Sequence, residues 1–189
     1  MQMQSLFTTL LLATSAIAAP TFSIIPRAGK ESCMAKGSKV NSWNVHDFTF
    51  EASHTFTSPE KSVYSAKASF ELENKALSYK AKCSARSQSK DFFTGDVTYD
   101  CKGSAEGDSA SFRFDHNSGT LAIEQSWSCA KEGGRYEAKG NTTLHLTCKD
   151  STYKNPNYKA GKSGLYSHHL ISCEPVTVKA PVTEMSAVL

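Results

Sequence analysis

The sequence predicts an all-β protein, a single antiparallel β-barrel or sandwich stapled by disulfides. Three observations predict it. Apolar residues recur with period two along most of the chain. No stretch of useful length shows the 3.6-residue period of a helix. Six cysteines follow an apolar N-terminal leader.

The leader comes first. Leu6 to Ala19 is uncharged and apolar apart from Thr8, Thr9, Thr14 and Ser15. It is shorter than the roughly 20 residues a bilayer span needs. Ala16-Ile17-Ala18 is the small-x-small pattern a signal peptidase cuts, and Pro20 disfavours a cut after Ala19. Residues 1–18 are therefore expected to be a signal peptide. Residues 19–32, with Pro20, Pro26 and Gly29, read as a flexible lead-in. The expected globular domain runs over 33–178, with a core at 43–148, a C-terminal extension at 149–178 and a tail at 179–189.

Trp43 and Val45 alternate; Phe48, Phe50, Ala52, His54 and Phe56 then alternate on the other parity. That change of phase is what a β-bulge, or a break between two strands, produces. Ser58-Pro59 marks a turn. In the next strand Tyr64, Ala66, Ala68, Phe70 and Leu72 face one way, and Ser65, Lys67, Ser69, Glu71 and Glu73 the other. So strict an alternation means one buried and one wet face. After Asn74-Lys75 the pattern resumes with Leu77, Tyr79, Ala81, Cys83 and Ala85, which predicts a hairpin. Val97, Tyr99 and Cys101 form a further strand, then Phe112 and Phe114. Asp115 to Gly119 is a turn, followed by Leu121, Ile123, Gln125 and Trp127. Tyr136 and Ala138, then Leu144, Leu146 and Cys148, complete the core. Asp150 to Gly164 reads as a polar loop and Leu165 to Cys173 as a last strand.

The function classes narrow by exclusion. The net charge of +3 comes from scattered lysines, so no nucleic-acid partner is expected. No membrane insertion is expected either, because the C-terminus lacks a long hydrophobic tail. Cys33, Cys83, Cys101, Cys129, Cys148 and Cys173 are an even set in a secreted chain, which reads as disulfides; no Cys-x-x-Cys or Cys/His cluster suggests a metal. Asn141-Thr142-Thr143 is an N-glycosylation sequon. His168 and His169 are adjacent on a strand and so point to opposite faces. Asp115 and His116 fall in a turn, where Asp caps its own backbone. Asp91, Asp96, Asp100 and Glu124 are the carboxylates from which a glycosidase pair would be drawn. Arg113 and Glu124 read as a cross-strand ion pair. Phe92 and Phe93 are consecutive, so one must point away from what the other buries; they are a candidate partner surface. Tyr153, Tyr158 and Tyr166 are a second. No catalytic residue, cofactor or metal ligand is assigned.

The segment Trp43 to Cys148 resembles a known family, the fungal secreted β-barrels similar to the major Alternaria allergen. Trp43-x-Val45-x-Asp47-Phe48, Phe70-x-Leu72, Cys83-Ser84-Ala85, Tyr99-Asp100-Cys101, Phe112-x-Phe114-Asp115 and Leu121-x-Ile123-x-Gln125 carry the resemblance in order and spacing. It implies an extracellular β-barrel without catalytic chemistry, of the kind found among allergens, elicitors and effectors. It implies a Cys83–Cys101 disulfide and a second, Cys129–Cys148, and leaves Cys33 with Cys173. The expected function is secreted, non-enzymatic and allergen- or effector-like, by binding a host or cell-wall protein or glycan, as monomer or homodimer. The alternatives are a secreted hydrolase with a dispersed carboxylate or His/carboxylate site, and an extracellular small-molecule carrier.

Overall fold

The computed structural model describes residues 31–161 and 164–188. The signal-peptide reading and nearly all of the 19–32 lead-in lie outside the described residues.

The strand β1, Ser42–Ser58, organises the molecule. Its even-numbered apolar residues Phe48, Phe50 and Ala52 are buried, as are Trp43 and Val45 on the other parity. The phase change is a β-bulge: pairing with the next strand skips between His46 and Thr49, and Asp47 sits at φ 52°. β2 (Lys61–Glu73) and β3 (Lys80–Ser87) follow as antiparallel neighbours. β4 (Tyr99–Asp100), β5 (Ser109–Asp115), β6 (Thr120–Cys129) and β7 (Gly134–Thr143) form a second sheet. β8 (Cys148–Lys154), β9 (Ser167–Cys173) and β10 (Val176–Pro181) return to the first sheet, and β11 (Glu184–Val188) joins the second. The sheet orders are β3-β2-β1-β9-β8, with β10 also on β1, and β11-β7-β6-β5-β4. The sheets are not closed on each other, so of the two expected architectures the chain adopts the sandwich.

One core fills the space between the sheets. Phe48 meets Phe70 and Phe114, and Phe70 meets Phe112, with ring centroids 5.0–5.7 Å apart. Buried Trp43 donates its indole N–H to Gln125 Oε1 at 2.8 Å, and Asn74 Nδ2 donates to the same oxygen at 2.9 Å. A polar atom this deep is tolerated because it has partners. Gly140 lets β10 come close; a Cβ there would sit 2.0 Å from the Pro181 carbonyl oxygen.

Four readings of the sequence are corrected. Asp150 to Gly164 is not all loop, because its first residues belong to β8. All seven β8 residues are exposed, so no burial writes an alternation into them. The segment read as a tail ends β10 and supplies β11, which pairs with β7. A short helix, α1 (Cys33–Gly37), stands where none was expected. Ser32 caps it, and the Glu132 carboxylate accepts from the N–H groups of Cys33 and Met34 at 2.8 and 3.0 Å.

The fourth correction concerns the disulfides. Cys83–Cys101 forms as expected, but the others are Cys33–Cys129 and Cys148–Cys173. Cys129 ends β6. β7 then carries the chain back along the whole of β6, from Gly134 opposite Cys129 to Thr143 opposite Thr120. That carries Thr143 about 30 Å from Cys129, and the chain beyond it crosses to the other sheet instead of returning, so Cys148 does not come back to Cys129. Cys148 instead faces Cys173 directly across β8 and β9.

Candidate functional site

β1 has seventeen residues, whereas β6 and β7 have ten each. The long strand therefore outruns the opposite sheet. Beyond Ala52 it continues beside β2, β9 and β8 as a four-stranded wing that the second sheet does not cover. Paired residues of antiparallel strands share a face, so the register gives the wing's composition. On the face continuous with the core lie three rows: Ala66, Ala52, Ile171 and Asp150; Tyr64, His54, His169 and Thr152; then Ser62, Phe56, Ser167 and Lys154. The core period of β1 and β2 runs on through His54, Phe56 and Tyr64, but these side chains are half-buried rather than enclosed.

The face is ordered by its own contacts. The His54 ring stacks on Tyr64 with centroids 3.9 Å apart and leans on Phe56 at 4.2 Å. His54 Nε2 has no hydrogen-bond partner. Burial, then the nearby His169 and Lys90, pushes the His54 pKa down and favours the neutral ring. His169 Nε2 meets Asp150 Oδ1 at 2.7 Å. Lys154 Nζ stands 5.7 Å from the centroid of Tyr166, whose ring meets Tyr158 edge to face.

Toward the sandwich the face opens into a cleft of about 550 Å³. Phe50, Leu144, Leu146 and Ile171 give it apolar walls, and His116 and His145 line it. The cleft follows from two close approaches. Gly119, at φ 71°, ends the β5–β6 turn against Leu144, whose N–H donates to its carbonyl at 2.8 Å. The link from Leu144 to Thr147 then crosses from one sheet to the other, and Cys148–Cys173 anchors its end.

Phe93 is 4% exposed and belongs to the core, at φ 52°. Phe92 is half-buried against Phe50 and His116, at 5.9 and 4.9 Å. Phe93 is thus core, and Phe92 backs two residues that line the cleft, Phe50 and His116, rather than projecting as a patch. Asp115 does cap its turn, accepting from Ser118 Oγ at 2.8 Å and Asn117 N at 2.9 Å, and these bonds, the hydroxyl first, lower its pKa. His116 packs on Phe50 at 5.5 Å, and its Nδ1 is unpartnered. His168 and His169 do point apart: Thr55 Oγ1 holds His168 Nδ1 at 2.8 Å on the outer face. Tyr153, 51% exposed, shares that outer face with Val63.

Glu124 lies on the outer face of the second sheet, 3.9 Å from Arg113 and 3.3 Å from Lys139. The Arg113 contact is diagonal, since Arg113 pairs with Ala122. Asp91, Asp96 and Asp100 are exposed around β4. Glu73 and Glu132 join Asp115 in having lowered pKa values, through the Asn44 amide and the Met34 N–H respectively. These shifts favour the ionised form, whereas a general acid requires the opposite. Among the described residues no group of three or more His, Cys, Asp or Glu side chains is placed to hold a metal ion.

Two features of the site had no isolated signal in the sequence. His54 and Phe56 read as ordinary core positions, because nothing local says where the opposite sheet ends. Leu146 reads as part of a strand and His145 carries no signal of its own, although both belong to the inter-sheet link.

The comparisons agree with this architecture at the level of family. No curated protein matches the chain, and no solved structure does. The family model described as Alternaria alternata allergen 1 matches residues 45–173, from the bulge of β1 to the disulfide that closes β9. That span is well over half the chain and holds the Cys83–Cys101 and Cys148–Cys173 disulfides whole, so the chain belongs to the Alternaria alternata allergen 1 family.

Proposed function

We propose that this allergen-family protein is secreted and non-catalytic, and acts by binding a host or cell-wall component along the uncovered core face. The observation that carries the reading is the run of His54, Phe56, Tyr64 and His169 beyond the reach of the second sheet. Apolar and aromatic surface left open beside a cleft is what recognition sites use. The scaffold beneath it is fixed by three disulfides, with no cysteine left free. Internal pairing of Cys33 with Cys129 supports a monomer without a covalent link between subunits.

The test is co-sedimentation of protein recovered from culture medium, beginning at Ala19, with isolated plant and fungal cell walls. Phe56→Ser/Tyr64→Ser is expected to weaken binding at least about tenfold. Val97→Ser, away from the wing at an exposed position that precedes β4 rather than lying in a strand as its alternation with Tyr99 suggests, should leave it unchanged. Equal binding by the wing variant would overturn the assignment.

A second reading, a small-molecule carrier, rests on the cleft beside His116 and His145. It predicts a co-purified ligand in native mass spectra of the secreted protein, and a consistently empty protein would refute it.

A further inference from the structure

The outer face of the second sheet carries the one sequon of the chain in a setting that fits its use. β7 buries Tyr136, Ala138 and Gly140, so Lys139, Asn141 and Thr143 point outward. Asn141 and Thr143 are both exposed and lie two residues apart on a strand, hence on the same side. The hydroxyl that the sequon requires thus stands beside the amide that would be modified. No hydrogen bond within the protein involves either side chain among those of the described residues.

The neighbours leave room for a bulky group. Across the sheet Asn141 pairs with Ala122, and Ala122 with Arg113. The flanking outward residues of β6 are Thr120 and Glu124, so Ala122 is a step where only a methyl stands. On the other flank β11 begins opposite Lys139 and does not extend alongside Asn141. Arg113 and Glu124 offer a donor and acceptors at the far rim of the step.

We infer that Asn141 is an N-glycosylation site whose first sugar rests over Ala122, between Thr120 and Glu124. The glycan covers the outer face of the second sheet. The uncovered core face lies on the other sheet's extension and stays open, while Thr143 of the sequon stands at the edge of the cleft beside it. The inference rests on the proposed secretory route, because the transferase acts only there.

The experiment is expression of the full chain in a eukaryotic secretory host, with intact mass before and after peptide N-glycanase. The secreted protein is expected to be heavier than its polypeptide by a set of sugar residues, all removed by the enzyme with conversion of Asn141 to Asp. Thr143→Val, which keeps Asn141, should abolish the added mass; Thr143→Ser, which keeps the hydroxyl, should retain it. Hydrogen exchange should slow at residues 120–124 in the glycosylated form relative to the enzyme-treated form, and be unchanged at residues 52–56. A secreted protein of bare polypeptide mass, or added mass that survives Thr143→Val, overturns the inference. Exchange differences confined to other strands overturn the seat over Ala122. A chain that stays inside the cell with its own leader, yet gains enzyme-sensitive mass behind a foreign leader, sinks the secretion reading and leaves the sequon assignment standing.

Discussion

Cys33→Ala/Cys129→Ala lowers the unfolding free energy by up to about 5 kcal/mol, more than removal of either other disulfide. The bridge spans 96 residues, against 25 for Cys148–Cys173 and 18 for Cys83–Cys101. In the chain-entropy account those shorter loops are worth about 3.5 and about 3 kcal/mol. The long bridge also pins α1 to the end of β6. Without it the helix is held by its Ser32 cap, the Glu132 carboxylate on its N–H groups, the bond from Tyr136 Oη to the Met34 carbonyl at 2.8 Å, and the packing of Met34 and Gly37 on β7. Five residues form too short a helix to persist on that alone. Urea unfolding of the three double variants checks the order. A loss on removing Cys33–Cys129 smaller than that for Cys83–Cys101 would show that the loop argument fails here.

Trp43→Ala costs about 3–5 kcal/mol. The indole is fully buried and packs against Gly140, where the backbone of Pro181 comes close. Its removal opens a cavity that neither backbone can close. It also strips one of two donors from Gln125 Oε1 and leaves only Asn74 there. Trp43→Phe separates the effects: it fills much of the space but not the hydrogen bond, and is expected to cost about 1–3 kcal/mol. Phe56→Ala, on the wing, should cost only about 1 kcal/mol, because the ring is half-buried and leans on His54. This contrast is what makes the wing open to mutation: its residues can be changed without unfolding the sandwich. Similar midpoints for Trp43→Ala and Phe56→Ala in urea would contradict the division into core and uncovered face.

The legible parts of the fold are those that burial writes into local sequence. The inward residues of β2 from Ala66 to Leu72 are buried as their alternation requires, and the parity change near Asp47 is a real bulge. The Asp115–Gly119 turn and the diagonal Arg113–Glu124 pair were also readable, since both depend on near neighbours. β8 was not readable, because neither face is covered and period two has no cause there. The pairing of Cys33 with Cys129 depends on the direction in which β7 returns, a non-local fact that a spacing does not hold. Phe93 reaches the core through a positive φ, a conformation a phenylalanine seldom adopts and a sequence does not announce. The candidate site itself follows from a difference in strand length between two sheets. His54 and Phe56 carry the core's period past the point where the core ends.

The central claim is that this uncovered face is where the partner sits. Backbone amide shifts of the labelled protein, recorded as a soluble cell-wall fraction is added, test it most directly. The account predicts shifts at residues 52–56, at Tyr64 and across 167–171, spreading to His116 and His145 at the cleft, and none on the outward positions of β5 to β7. Shifts confined to the second sheet's outer face, or to the Tyr153 and Val63 side of the wing, would contradict it.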